Sequence, residues 1–166
     1  MTTAAFLQGR KIERNVYVKP PEEAATDGKV WRLRKAAYGL VDAARNWYLS
    51  VKDTLLQLGC VQSNLDKAVF RYYHEGELLG AIVLHVDDFM FAGTKLFHEN
   101  VTEKVITKFK VGLRKTDVFK YVGLNIRRES DVIILLQDEY VKELQLFEID
   151  SFEDDRELSS DEMRLL

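Results

Sequence analysis

Asp87 and Asp88 are the residues best placed to do chemistry in this chain. They follow the run Ala81-Ile82-Val83-Leu84-His85-Val86 and precede Phe89-Met90-Phe91, so two carboxylates interrupt an otherwise strand-like stretch. Extended side chains alternate faces, but a tight turn can bring both acids near one point, where they repel unless a cation neutralises them. Hard oxygen ligands on a sheet edge suit Mg²⁺, with Mn²⁺ as a substitute, the cation keeping waters and substrate phosphates as its other ligands. Asp-Asp is equally a plain turn sequence. On these two residues alone, both readings stand.

Positioning such a pair requires strands on either side, and the flanking sequence supplies them. Residues 69–74 and 77–86 are aromatic and β-branched runs separated by Glu75-Gly76, a hairpin signal, and residues 89–92 resume as a strand after the acids. Upstream, residues 15–19 and 29–33 alternate as two short strands around a polar loop opened by Pro20-Pro21. Ala44, Trp47, Tyr48, Val51, Leu55 and Leu58 recur at helical spacing, which predicts a helix over 42–58 with Asp42 as N-cap and Gly59 as stop. A second stripe of Phe97, Val101, Val105, Ile106 and Phe109 predicts a helix over 95–109. Strands over 119–128 and 132–136, turning at Glu129-Ser130-Asp131, and a short helix over 138–147 complete the pattern. Strands joined mostly by hairpins and mixed with helices predict an α+β fold, an antiparallel layer with helices on one face.

Composition narrows the classes. The 166 residues allow one ordinary domain or a segment of a larger one, and 46% hydrophobic with 31% charged residues excludes wholesale disorder. The single cysteine, Cys60, excludes a disulfide framework and a cysteine-rich zinc site, and reads as a small buried hydrophobe. The longest uncharged apolar run, residues 78–86, is too short to span a bilayer, and no signal peptide is expected ahead of the fold. No membrane partner is expected, and the expected location is intracellular, cytoplasmic or nuclear. Residues 148–166 hold eight acids against Arg156 and Arg164, an acidic tail expected to be frayed, whereas residues 1–147 carry 22 bases and 19 acids. A slightly basic body permits nucleic-acid contact without requiring it. Arg10, Lys11, Arg14, Lys19, Arg32, Arg34 and Lys35 could meet phosphates, or could be solvated strand-face charges. Trp31 and Trp47 could stack on bases, although Trp47 sits on the apolar helical stripe and reads as core.

His85-Val86-Asp87-Asp88 between two apolar strands resembles the Tyr-Val-Asp-Asp box of reverse transcriptases. Leu33-Arg34-Lys35-Ala36-Ala37-Tyr38-Gly39-Leu40, followed by Ala43-Ala44-Arg45-Asn46-Trp47-Tyr48, resembles the Leu-Lys-Lys-Ala-Leu-Tyr-Gly-Leu signature and its Ala-Pro-Arg and Trp-Tyr continuation in copia-type LTR retrotransposon polymerases. In the same order, Asn64-Leu65-Asp66-Lys67-Ala68-Val69-Phe70 is similar to that family's Ala-Asp-Pro-Ser-Leu-Phe segment. Tyr121-Val122-Gly123-Leu124-Asn125-Ile126 is similar to Phe-Leu-Gly-Ile-Glu-Ile, and Leu136-Gln137-Asp138-Glu139-Tyr140 to a Ser-Gln and Tyr segment. Ala5-Phe6-Leu7-Gln8-Gly9 and Val16-Tyr17-Val18-Lys19-Pro20-Pro21 resemble the stretch just after the family's first catalytic box. The resemblance covers residues 1–147.

The resemblance implies a palm-like fragment, with residues 1–147 as the folded region and 148–166 as the tail. It implies Mg²⁺-dependent nucleotidyl transfer from a dNTP to a primer on an RNA or DNA template. Asp87 and Asp88 would then be catalytic metal ligands, and His85 would stack or hydrogen-bond near the primer end. Phe6 would exclude a ribose 2′-hydroxyl, and Tyr38 and Gly39 would line the nucleotide and template site. Without the resemblance, Phe6 reads as a core aromatic and Tyr38-Gly39 as a strand end with a turn. There are departures: Ala44 replaces proline, Val41-Asp42 replaces Lys-Gln, and His85 replaces tyrosine. Met1 stands where the first box has its Asp. The expectation is therefore a truncated polymerase region with little or no activity by itself, or else a non-catalytic module on a palm scaffold that binds nucleic acid or protein.

Overall fold

In the computed structural model, residues 4–24 and 28–144 are described, so the acidic stretch 148–166 lies outside the described residues. The chain forms two compact units, residues 1–115 and 116–166.

The first unit is organised by a four-stranded antiparallel sheet in the order β3 (Cys60–Gln62), β4 (Val69–His74), β5 (Glu77–His85), β6 (Asp88–Gly93). Register aligns Phe70 with Ile82 and Ile82 with Phe91, and two pairs further along aligns Leu84 with Phe89. Alternation therefore collects these apolar side chains on one face. Helix α2 (Ala43–Gln57) covers that face with Trp47, Val51 and Leu55, spaced four apart and fully buried. Beside it lies the helical segment α3 (Lys95–Phe97), a wide π-type turn (His98–Thr102) and α4 (Glu103–Lys108). Phe97, Val101, Val105 and Phe109 of this segment complete the core. Thr94 caps its start by accepting a hydrogen bond from the Phe97 amide at 3.3 Å. Glycine is required where the segment crosses the sheet: a Cβ on Gly80 or Gly93 would overlap the Phe97 ring.

Two smaller parts flank this core in the same unit. A short helix, α1 (Ala5–Gln8), ends at Gly9, whose Cα lies so near α2 that a Cβ would sit 3.3 Å from the Trp47 amide nitrogen. A two-stranded ribbon follows, β1 (Lys11–Val18) with β2 (Trp31–Lys35), carrying a register irregularity between Lys11 and Val16. The second unit is a three-stranded antiparallel sheet, β7 (Val118–Tyr121), β8 (Leu124–Glu129) and β9 (Val132–Leu136), followed by helix α5 (Asp138–Glu143).

The α+β class and the palm-like antiparallel sheet with helices on one face are as expected. Several details differ. The predicted strand over 119–128 is two strands, because Val122 and Gly123 both take positive φ (48° and 81°) and reverse the chain in a two-residue hairpin. The helix over 95–109 is interrupted by the π-type turn, which keeps Phe97 and Val101 on the core side. Asp42 precedes α2 without a side-chain capping bond, since its carboxylate is taken by Arg14 instead. The remainder of the helix expected over 138–147, beyond Leu144, falls outside the described residues. Cys60 is buried as expected, and burial pushes its thiol up to about 11.

Candidate metal and nucleotide site at the hairpin tip

β5 and β6 are joined by two residues, Val86 and Asp87, so that His85 faces Asp88 as the closing pair. Val86 has φ of 51°, whereas Asp87 is not among the positive-φ residues. A β-branched side chain at positive φ is uncommon and strained. Leu84 and Phe89 point to the helices, so their neighbours His85 and Asp88 stand on the opposite face, with Val83 and Met90 next along it. Asp87 sits at the turn itself, and both carboxylates are half-buried. Unlike core residues, they can meet a soluble ligand.

The donor set fits a hard cation. Two carboxylates on consecutive residues are what Mg²⁺ takes alongside water and phosphate oxygens. Among the described residues, no third His, Cys, Asp or Glu joins them in a cluster able to hold a metal. By themselves two carboxylates would fill only part of such a cation's coordination sphere.

Behind the turn lies a shallow apolar pocket of about 220 Å³, lined by Phe6, Ala44, Trp47, Tyr48, Leu84 and Val86. Trp47 reaches through its wall to donate from Nε1 to the Val86 carbonyl at 2.6 Å. Tyr48, one residue on, donates to the Lys67 carbonyl at 2.9 Å and ties α2 to the β3–β4 loop. Phe6 packs on Tyr38 with ring centroids 4.5 Å apart, which joins α1 to the segment after β2. Tyr38 is 63% exposed, and Gly39 beside it has φ of 91° with open space where a Cβ would stand. The fold thus brings Phe6, Tyr38 and Val86 to one region, and sets Asp87, Asp88 and His85 at the hairpin adjoining it.

Sequence reasoning missed two parts of this arrangement. Trp47, expected as core with base stacking as the alternative, is core and also restrains the hairpin, and a tryptophan on an apolar stripe carries no signal of where its N–H will go. Asp42 is expected from the sequence as the N-cap of α2. Arg14 instead binds it at 2.8 Å and holds its carboxyl below the usual carboxylate range. Arg10 and Asp53 make a second such pair between β1's approach and α2.

A helix-backed antiparallel sheet bearing an acidic pair on a hairpin tip is a palm-type arrangement. The sequence profile of the reverse transcriptase (RNA-dependent DNA polymerase) family matches residues 2–153, and this chain belongs to that family, in its copia-type retrotransposon branch. It is 30% identical over 144 residues to a retrovirus-related Pol polyprotein from transposon RE1 of Arabidopsis thaliana, covering 84% of this chain and 10% of the relative. The Pol polyprotein from transposon TNT 1-94 of Nicotiana tabacum is 28% identical over 83% of this chain and 11% of its own length. A transposon Ty5-1 protein of Saccharomyces cerevisiae is 29% identical over 89% of this chain and 49% of its own. The chain thus corresponds to about a tenth of the plant polyproteins it matches. No solved structure matches significantly. The family uses a divalent metal and works on a nucleic-acid template. Among the described residues, no helix is long and apolar enough to cross a membrane.

Proposed function

We propose that residues 4–115 form the palm part of a copia-type reverse transcriptase, with Asp87 and Asp88 as ligands of Mg²⁺ or Mn²⁺ in dNTP transfer to a primer on an RNA or DNA template. The observation that carries this reading is the two-residue hairpin, which presents Asp87 at its tip and Asp88 with His85 on the sheet face away from the helices. When bound, divalent cations there stabilise the attacking and leaving oxygens of phosphoryl transfer. The chain's own residues do the positioning. Phe6, packed on Tyr38, is the residue that would exclude a ribose 2′-hydroxyl at the sugar position. Tyr38 and Gly39 offer an exposed ring and an unobstructed backbone to the nucleotide and template. His85, paired with Asp88, offers a ring to the primer end.

Mn²⁺ titration followed by amide NMR of the 166-residue chain tests the assignment. Selective line broadening at Asp87 and Asp88, lost in Asp87→Asn/Asp88→Asn, is expected, and broadening confined to other acids would overturn it. Because the described residues gather only two carboxylates, primer extension by this chain alone is expected to be slight or absent. Robust dNTP incorporation would refute that. The same two-carboxylate count favours a second reading, a non-catalytic nucleic-acid- or protein-binding module on the palm scaffold. It predicts oligonucleotide or protein binding unchanged by EDTA and no broadening at the hairpin.

A further inference from the structure

The four-stranded sheet ends differently on its two sides. β3, at one edge, is three residues long, whereas β6, at the other, runs for six residues and pairs, among the described residues, with β5 alone. Proteins guard open edges with lysines, prolines, bulges or short strands. β6 (Asp88-Phe89-Met90-Phe91-Ala92-Gly93) has no lysine, arginine or proline, and its register against β5 runs from His85–Asp88 to Gly80–Gly93 without a bulge. His85–Asp88 closes a two-residue hairpin and is a hydrogen-bonded pair, so Val83–Met90 and Ala81–Ala92 are bonded as well and the pairs between them are not. The Thr94 amide, bonded to the Leu79 carbonyl at 2.9 Å, continues that alternation. The N–H and C=O groups of Phe89, Phe91 and Gly93 therefore point away from β5, and among the described residues no backbone group pairs with them. The core thins toward the same edge. Ile82 and Leu84 are buried, while their β6 partners Phe91 and Phe89, stacked 5.6 Å apart, are half-buried.

We propose that β6 pairs with β6 of a second copy of this chain, antiparallel about a twofold axis at Phe91, joining the two four-stranded sheets into one. The outward groups belong to Phe89, Phe91 and Gly93, placed symmetrically about Phe91. Phe91 then meets Phe91, and Phe89 meets Gly93 of the other copy, so every outward N–H and C=O finds a partner. Residues opposite one another share a face, so Phe89 and Phe91 of both copies extend the apolar layer that the helices cover. Phe89 also comes opposite a glycine over which the Phe97 ring lies, and aromatic meets aromatic there. Continuing the register sets Asp88 opposite Thr94 and Asp87 opposite Lys95, whose side chain is 91% exposed and only loosely paired with Glu99 at 3.8 Å. The acids of each hairpin tip thus face a hydroxyl and a cation rather than their own kind. A strand of another protein would have to supply the outward groups, the aromatics and the cation at the same spacing, which a second copy has by identity.

The test is sedimentation of the 166-residue chain across a concentration series, with amide hydrogen exchange measured at its two ends. A monomer–dimer equilibrium is expected. The Met90 and Ala92 amides, bonded to β5, stay protected at every concentration. Those of Phe89, Phe91 and Gly93 slow roughly tenfold once about nine-tenths of the chain is dimeric, since exchange then proceeds through the monomeric tenth. Ala92→Lys, at an exposed position of β6, sets two lysines side by side across the twofold axis and is expected to weaken dimerisation roughly tenfold or more with circular dichroism unchanged. Val61→Lys on β3, 51% exposed at the opposite edge, should leave the equilibrium as it is. Metal binding at the hairpin is a separate matter, since Mn²⁺ broadening at Asp87 and Asp88 is expected in the dilute monomer. A chain that stays monomeric overturns the proposal, as does a species larger than a dimer or an equal loss in the two lysine variants. Protection of Phe89, Phe91 and Gly93 in the monomer also overturns it, because a segment of the same chain would then hold the edge. Should Ala92→Lys fail to fold, the alternating exchange pattern of the unaltered chain still decides.

Discussion

Trp47 Nε1 donates to the carbonyl of Val86 at 2.6 Å, joining α2 to the hairpin tip across 39 residues of sequence. The indole is 1% exposed and packs edge-on against Phe109 at 4.9 Å and Phe89 at 6.3 Å, so its N–H is aimed by a rigid ring. Trp47→Phe keeps most of that packing and removes the donor. The expected cost is about 1 kcal/mol in urea unfolding. The specific signature is faster amide exchange at Asp87 and Asp88 than elsewhere in β5 and β6. Val51→Ala, equally buried but remote from the turn, should lower stability more while leaving that local excess absent. Equal exchange at the hairpin in both variants would reduce Trp47 to a core residue.

Val86→Gly tests the strain directly. Val86 holds φ of 51°, which costs a β-branched residue of order 1–3 kcal/mol, against roughly 0.5–1 kcal/mol of extra chain entropy lost by glycine. The side chain is 52% exposed, so its removal forfeits little burial. The variant should be as stable as the parent or more stable by up to about 1 kcal/mol in urea unfolding. A clear loss of stability would show that the Val86 side chain contributes more to the pocket wall than the backbone strain subtracts.

The hairpin and the main helix were legible because each follows one period. Residues 77–93 alternate around two acids, and Trp47, Val51 and Leu55 repeat every four. The Val122-Gly123 reversal was not, because apolar residues on both sides hide a two-residue turn whose first member is valine, a poor turn former. The π-type turn within 95–109 leaves the apolar stripe almost unchanged, so periodicity passes over it. At the site, Asp87-Asp88 stood out by residue type alone. The Phe6–Tyr38 contact and the Arg14–Asp42 pair join segments far apart in sequence, and local pattern carries no record of such meetings.

Gly80→Ala should be among the most damaging single-methyl changes in the first unit. The added Cβ would fall within the Phe97 ring, which is fully buried and so cannot yield freely. Overpacking of this kind costs about 1–3 kcal/mol, read as a lower urea midpoint with an unchanged m-value. Phe97→Leu in the same background should restore part of the loss, although alone it destabilises. A double-mutant cycle with coupling above about 0.5 kcal/mol would establish the contact, and additivity would refute it.

Cys60 provides a pH-dependent probe of the same core. It is 4% exposed at the start of β3, and burial holds its thiol up at about 11 because the thiolate would lose its hydration there. The unfolded chain ionises this group near the free value of about 8.5. Its contribution to stability is therefore complete below that value and is lost as pH rises toward about 11, where the folded state begins to ionise as well. Urea unfolding across alkaline pH should show a decline in the parent that Cys60→Ala lacks, once the lysines and tyrosines common to both are subtracted. In parallel, a thiol reagent at neutral pH should react slowly until urea opens the sheet, since reaction requires an exposed thiolate. Fast labelling of the folded chain would mean that β3 leaves the sheet readily, and that the core beneath the hairpin is less well closed at this edge than the register of Cys60 with Tyr72 implies.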